Sequence, residues 1–178
     1  VVRFGPLAPD TVRRLVTEEL ARRGDETVAV TIAAAAAACG GSLDRARLLL
    51  DPEVGTFRGR LLEMLGRRPL RGVELARELN AVVEAAGKEA PPRRARLAAL
   101  LDVAVEFYRA ALRADATGER PPDPALDRAI EAWAADEAAA GLEATLDAID
   151  AIDRNAHLPT LVDAWTAILE APRLAHSA

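Results

Sequence analysis

The sequence has one cysteine, Cys39, so no intrachain disulfide can form. Aromatic residues make up only 3% of it, so leucine, alanine, valine and isoleucine must build any core. β-Branched runs of strand length are almost absent, which removes sheet folds from consideration. No stretch approaches the ~18 uncharged apolar residues of a membrane span, and no signal peptide is visible. A cytoplasmic setting is expected. Only two histidines occur, His157 and His176, and no metal-ligand spacing surrounds them or Cys39. Neither a phosphate-binding loop nor a nucleophile elbow is present. No catalytic residue, metal or cofactor is therefore expected in this stretch of chain.

What is present is helix-forming material. Hydrophobic residues account for 51% of the 178 positions, with alanine, leucine, arginine and glutamate dominant. The net charge of −5 comes from interspersed acids and bases, which excludes coating nucleic acid by bulk charge. The chain opens "VVRFGPL" rather than with methionine, and reads as part of a longer protein.

Apolar periodicity divides the chain into an all-α succession. Residues 1–8 read as the end of a strand or an extended entry. Three short helices are expected over 9–50: one from Asp10 stopped at Gly24, one from Asp25 to about Cys39, and one from Leu43 to Leu50. Gly40 and Gly41 end the second, and Ser42 caps the third. Residues 51–178 then read as a bundle of five or six helices. "DPEVGTF" is expected as a break before a helix of 56–66, with Asp51-Pro52 as a turn or a new N-cap. Helices follow over 73–86 and 93–114, the latter with Leu97, Leu100, Leu101, Ala104, Phe107 and Tyr108 on a wide apolar stripe. Asp123 and Pro124 start the next. Leu126, Ile130 and Trp133 line it, with a break at Gly141. Leu142, Leu146, Ile149 and Ile152 continue the pattern. Pro159 opens the last helix, with Leu161, Val162, Trp165, Ile168 and Leu169 facing inward.

Two basic groups stand out: Arg67, Arg68 and Arg71, and then Arg93, Arg94 and Arg96. The second lies at a helix start, where positive charge costs roughly 0.3–1 kcal/mol per residue. That cost adds a little weight to a partner. Solubilising ion pairs with Glu63 or Glu89 are the leading reading. Trp133 and Trp165 sit at apolar positions, suited to a core or to a subunit contact. Acidic pairs such as Glu18–Glu19 and Asp136–Glu137 read as solvated faces.

Three segments together resemble bacterial clamp-loader subunits. Arg3, Phe4, Pro6 and Leu7 match the segment where the nucleotide-binding domain of such a subunit passes into its lid. Gly41, Ser42, Leu43 and Ala46 match the lid's glycine turn and third helix. Arg154, Asn155, Leu158, Leu161 and Leu169 are similar to the turn and last helix of the collar in the delta-prime family of DNA polymerase III. Residues 55–125 match only in helical character. The resemblance implies a three-helix AAA+ lid over 9–50, a collar over 51–178, and a missing ATPase-like domain before them. It implies partners among the tau/gamma and delta subunits, joined through the collar, with DNA met only indirectly and no membrane. ATP-hydrolysing members place a sensor arginine directly after the G-S-L triplet. Here Asp44 stands there, and Arg45 follows one place later, about 100° further round a helix. This favours the inert delta-prime type over a tau/gamma-type ATPase. An unrelated helical scaffold, or a helical enzyme with an acidic or histidine site, are the other classes weighed.

Overall fold

The computed structural model describes residues 5–23, 29–39 and 41–171. Arg3, Phe4, Gly24, Asp25, Gly40 and His176 lie outside the described residues. Within them the chain is all-helical. The helices are α1 (Pro9–Arg23), α2 (Ala29–Ala38), α3 (Leu43–Leu49), α4 (Pro52–Gly66), α5 (Gly72–Glu84), α6 (Ala90–Thr117), α7 (Pro124–Ile130), α8 (Ala135–Asp153) and α9 (Leu158–Glu170). The chain divides into two compact units, Val1–Gly55 and Thr56–Ala178.

The first unit packs α1, α2 and α3 against one another. Its core is small: Val12 and Val16 from α1, Ile32 and Ala36 from α2, then Cys39 and Ala46, with Leu20, Leu43, Leu49 and Leu50 around them. The Cys39 thiol is buried and bonds to the Ala36 carbonyl at 3.2 Å, as a small apolar residue with a weak donor does. The alanines of α2 bring little area each, so the unit gains its packing by close approach rather than bulk.

The second unit is built on α6. Leu97, Leu101, Ala104, Tyr108 and Ala111 follow heptad spacing and are all buried. So are Leu100, Val103 and Phe107 beside them, which makes α6 apolar on more than one face, as a central helix requires. It packs along α8, while α5 packs on α9. The two long helices run antiparallel. Arg94 at the start of α6 reaches the Ile152 carbonyl near the end of α8, and Tyr108 further along meets Gly141.

Four expectations change here. The helix is not broken at Gly141. It breaks earlier, between Ile130 and Ala135, and Gly141 lies inside α8. Its missing side chain makes room for the Tyr108 ring: a Cβ there would lie 2.4 Å from Cε1. The buried face of α8 is also not the leucine face. It is Ala138, Gly141, Thr145, Ala148 and Ile152, while Leu146 is 42% exposed. The bulky stripe of α6 takes mostly small partners; Ile152 is buried as expected, while Leu142, Leu146 and Ile149 are turned to the flank. Likewise Ile168 on α9 is 50% exposed, because Leu158, Val162, Trp165, Thr166 and Leu169 form the inner face. Of the two readings of Asp51-Pro52, a turn or a new N-cap, the structure shows the N-cap: the Asp51 side chain accepts from the Glu53 N–H at 2.9 Å and α4 starts at Pro52, earlier than the expected 56.

Three of the six aromatic residues form one cluster. Phe107, Tyr108 and Trp133 meet edge to face with centroids 4.9–5.6 Å apart. The Trp133 indole N–H donates to the Leu65 carbonyl at 2.9 Å, which ties α4 to the α7–α8 connection. The buried indole of Trp165 donates to Thr145 Oγ1 at 3.1 Å, and that hydroxyl donates to the Gly141 carbonyl at 2.6 Å. No polar atom in this chain of bonds is left without a partner, which in a buried place is worth roughly 1–3 kcal/mol.

Asp123 links α4 to α7. Its carboxylate caps Ala125 and Leu126 and accepts from Arg58 at 2.7 Å. Arg58 also faces Glu106 of α6 at 3.6 Å. Burial pushes the Asp123 carboxyl up, but the Arg58 hydrogen bond and the two backbone N–H groups outweigh it, so its pKa lies below the ordinary 3.8. A depressed carboxylate contributes stability above its unfolded pKa and loses it as pH falls through its folded one. Asp123→Asn keeps an oxygen for the cap and removes the charge. In urea unfolding followed by circular dichroism, the variant is expected to be less stable than the parent at neutral pH. The gap narrows only below about pH 4. A gap that stays constant down to about pH 2 contradicts this account.

Candidate functional site

The glycine turn is the first place to seek function. Gly41 has φ +81°, a conformation that side chains other than glycine rarely adopt. A Cβ there would also lie 2.6 Å from Pro6 Cβ, and the Leu7 N–H donates to the Gly41 carbonyl at 3.1 Å. The entry segment and the turn are thus fastened together. Ser42 Oγ accepts from the Arg45 N–H at 3.3 Å and its carbonyl from the Ala46 N–H at 3.0 Å, the geometry of an N-cap. Asp44 is 87% exposed at the side chain and pairs with Arg47 at 2.6 Å. Arg47 also reaches Glu19 of α1 at 2.9 Å. Arg45 is half-buried on the neighbouring face. The Asp44 side chain faces away from the core and is engaged by its own helix.

The first basic group is matched by acids. Arg67 and Arg71 both reach Glu74, at 3.3 and 3.6 Å. Arg60 forks onto Glu78 through two bonds of 2.8 and 3.0 Å, which holds the Glu78 carboxyl below its usual range. Arg68 lies 3.7 Å over the Trp133 ring and pairs with Glu137 at 2.8 Å. The partners are Glu74 and Glu137 rather than the expected Glu63 or Glu89. Trp133 is half-buried beneath Arg68, and Trp165 is 2% exposed, so Trp165 has almost no surface to offer another subunit.

The second basic group finds backbone instead. Arg94 donates to the Ile152 carbonyl at 3.0 Å, Arg96 to the Val82 carbonyl at 3.2 Å, and Arg93 to the Gly87 carbonyl. Val82 and Ile152 belong to the last turns of α5 and α8, the negative ends of those helices. The cost of positive charge at the start of α6 is offset there.

Arg93 and Arg94 border a cleft of about 370 Å³ between the end of α5, the start of α6 and the α8–α9 turn. Asn80, Lys88, Asn155 and His157 also line it. Asn155 has φ +62° and ends α8. Its N–H donates to the Ile152 carbonyl, and the Ala156 N–H reaches back to Ala151 at 3.0 Å. Those paired bonds are a Schellman turn, with asparagine at the position glycine usually takes. His157 is the N-cap residue of α9; its Nδ1 lies 2.9 Å from Thr160 Oγ1. The sequence signal for this cleft was scattered: a lysine before two prolines, and an Arg-Asn-Ala-His turn some 60 residues on, joined only when α6 and α8 pair.

Among the described residues, no group of three or more His, Cys, Asp or Glu side chains is placed to hold a metal ion. No helix among them is long and apolar enough to cross a membrane. No family model, curated protein or solved structure matches the chain.

The Asn155 turn makes a separable prediction. Asn155→Gly keeps the left-handed residue and is expected to change stability by under about 0.5 kcal/mol, whereas Asn155→Ala costs about 1–2 kcal/mol. Urea unfolding of the two variants beside the parent reads the difference directly. Equal stabilities for alanine and glycine contradict the assignment.

Proposed function

We propose that this chain is the lid-and-collar part of a delta-prime-type subunit of a bacterial replicative clamp loader, and that it serves assembly rather than bond chemistry. The observation that carries the reading is the order of units. A three-helix unit comes first, with a Gly-Ser turn pinned to the Pro6–Leu7 entry, and a six-helix unit follows. That order is the one the resemblance implies for lid and collar. Exposed Asp44, paired with Arg47, supports the inert type over an ATP-hydrolysing tau/gamma type, because a carboxylate at the sensor position repels a triphosphate.

In this reading the missing N-terminal domain docks on the lid, and the collar joins the tau/gamma and delta subunits in a ring that opens the sliding clamp. DNA is met through the assembled ring. The collar's contribution is apolar surface left over after its own core is filled. Leu146 on α8 and Ile168 on α9 are such surface, at 42% and 50% exposure.

The test is reconstitution. The full-length protein containing this chain is mixed with tau/gamma and delta subunits, and ring assembly is followed by size-exclusion chromatography with light scattering. Assembly is expected, and the Leu146→Glu/Ile168→Glu variant is expected to assemble at least about tenfold more weakly with an unchanged melting temperature. Failure of the parent protein to join either subunit overturns the proposal.

A further inference from the structure

The cleft at the start of α6 is lined by more cations than carboxylates. The chain carries a net charge of −5, and the arginines on α4 and its following turn are matched to carboxylates. In the cleft, Lys88, Arg93 and Arg94 face a single lining carboxylate, Glu84. Among the described residues none of these three cations enters an ion pair; Arg93 and Arg94 each give a bond to a backbone carbonyl. A guanidinium has five N–H donors, so each retains most of its capacity. Carbonyls orient these side chains without cancelling their charge.

The backbone adds to this field. Both α6 and α9 begin at the cleft, and neither N-cap residue, Glu89 or His157, uses its side chain to cap the helix. The unsatisfied N–H groups of a helix start carry partial positive charge; Pro91 and Pro92 in α6 and Pro159 in α9 have none, so what these starts offer is the Ala90, Leu158 and Thr160 N–H groups. Asn80 and Asn155 supply amide groups on the wall. The space, about 370 Å³, exceeds what a lone carboxylate fills and lies in the range of small-ligand sites.

We propose that this cleft binds a phosphate group, with Lys88 and Arg93 as its principal charge contacts and Arg94 as the arm that fixes the cleft's floor to α8. The inference stands on the cleft alone and does not depend on the assembly role above. Phosphate suits it because three cations, with the few N–H groups that the two helix starts retain, offer more charge than a single carboxylate uses. The phosphate has two available sources, a free phosphate or mononucleotide and the backbone of a single nucleic-acid strand.

The experiment is an amide ¹H–¹⁵N titration of the 178-residue chain. One arm adds inorganic phosphate at constant ionic strength, and the other adds a twelve-residue oligothymidylate. Saturable shifts confined to residues 87–94 and 155–160 are expected with phosphate. The Lys88→Gln/Arg93→Gln variant is expected to bind at least about tenfold more weakly. Lys88→Glu, which leaves the Arg93 bond intact, is measured beside it, so that a folding defect in the double variant does not decide the result. An oligonucleotide affinity at least about tenfold above that of phosphate, with a log–log salt slope near −2 for about three strand phosphates, assigns the source to a strand. Equal affinities assign it to free phosphate. Shifts spread evenly over the surface, or affinity unchanged in both variants, overturn the proposal.

Discussion

The contact on which the larger unit depends is the approach of Tyr108 to Gly141. The ring of one lies where the Cβ of any other residue at position 141 would be. That contact sets the spacing of α6 and α8, and several other features follow from it. Thr145, one turn along α8, donates to the Gly141 carbonyl and accepts from the Trp165 indole, so the α9 core residue is oriented by the same stretch of α8. On its other side the Tyr108 ring meets Phe107 and Trp133, and Trp133 in turn holds the Leu65 carbonyl of α4. Elements from α4 to α9 are therefore keyed to a single pair of small and large residues. A chain with few aromatic residues has spent half of them at this junction, where each buries much area in a fixed geometry.

Charge is arranged around that frame in two ways. Arg58 and Arg60, on α4, meet carboxylates that anchor the helix to its neighbours. Arg93, Arg94 and Arg96 instead meet carbonyls, two of them at helix C-termini. The second arrangement holds α5, α6 and α8 together, and at Arg93 and Arg94 it leaves formal positive charge in place. Pairing with acid would have served structure equally well. The use of carbonyls is what leaves a charged cleft in an acidic protein.

The helices themselves were legible in the sequence, because caps and breakers marked their ends: Asp123 with Pro124, Ser42 after Gly41, Pro159 after the Arg-Asn turn. The buried faces were less so. α8 carries two overlapping heptad stripes, one of Ala138, Gly141, Thr145, Ala148 and Ile152, the other of Leu142, Leu146 and Ile149. Hydropathy favours the second. Packing chose the first, because a partner helix bearing leucine and tyrosine at its heptad positions fits against small residues. Gly141 read as a break for the same reason: periodicity cannot distinguish a glycine that ends a helix from one that admits a ring. The acidic partners of the first basic group and the carbonyl partners of the second depend on contacts between helices far apart in sequence. Residues with local roles, such as the Ser42 cap and Asp44 in the first turn of α3, could be placed from the sequence itself.

The small-residue seam fixes which face of α8 is covered and which is left open. It buries the alanine face of α8 and turns Leu146 outward. The most direct test of that seam is the stability of Gly141→Ala. On helix propensity alone the substitution should stabilise α8 by about 1 kcal/mol. If the Tyr108 contact governs the packing, the added methyl displaces the ring, and urea unfolding will show a loss of about 1–3 kcal/mol with the aromatic near-ultraviolet signal altered. A variant as stable as the parent or more so, with that signal unchanged, contradicts the account.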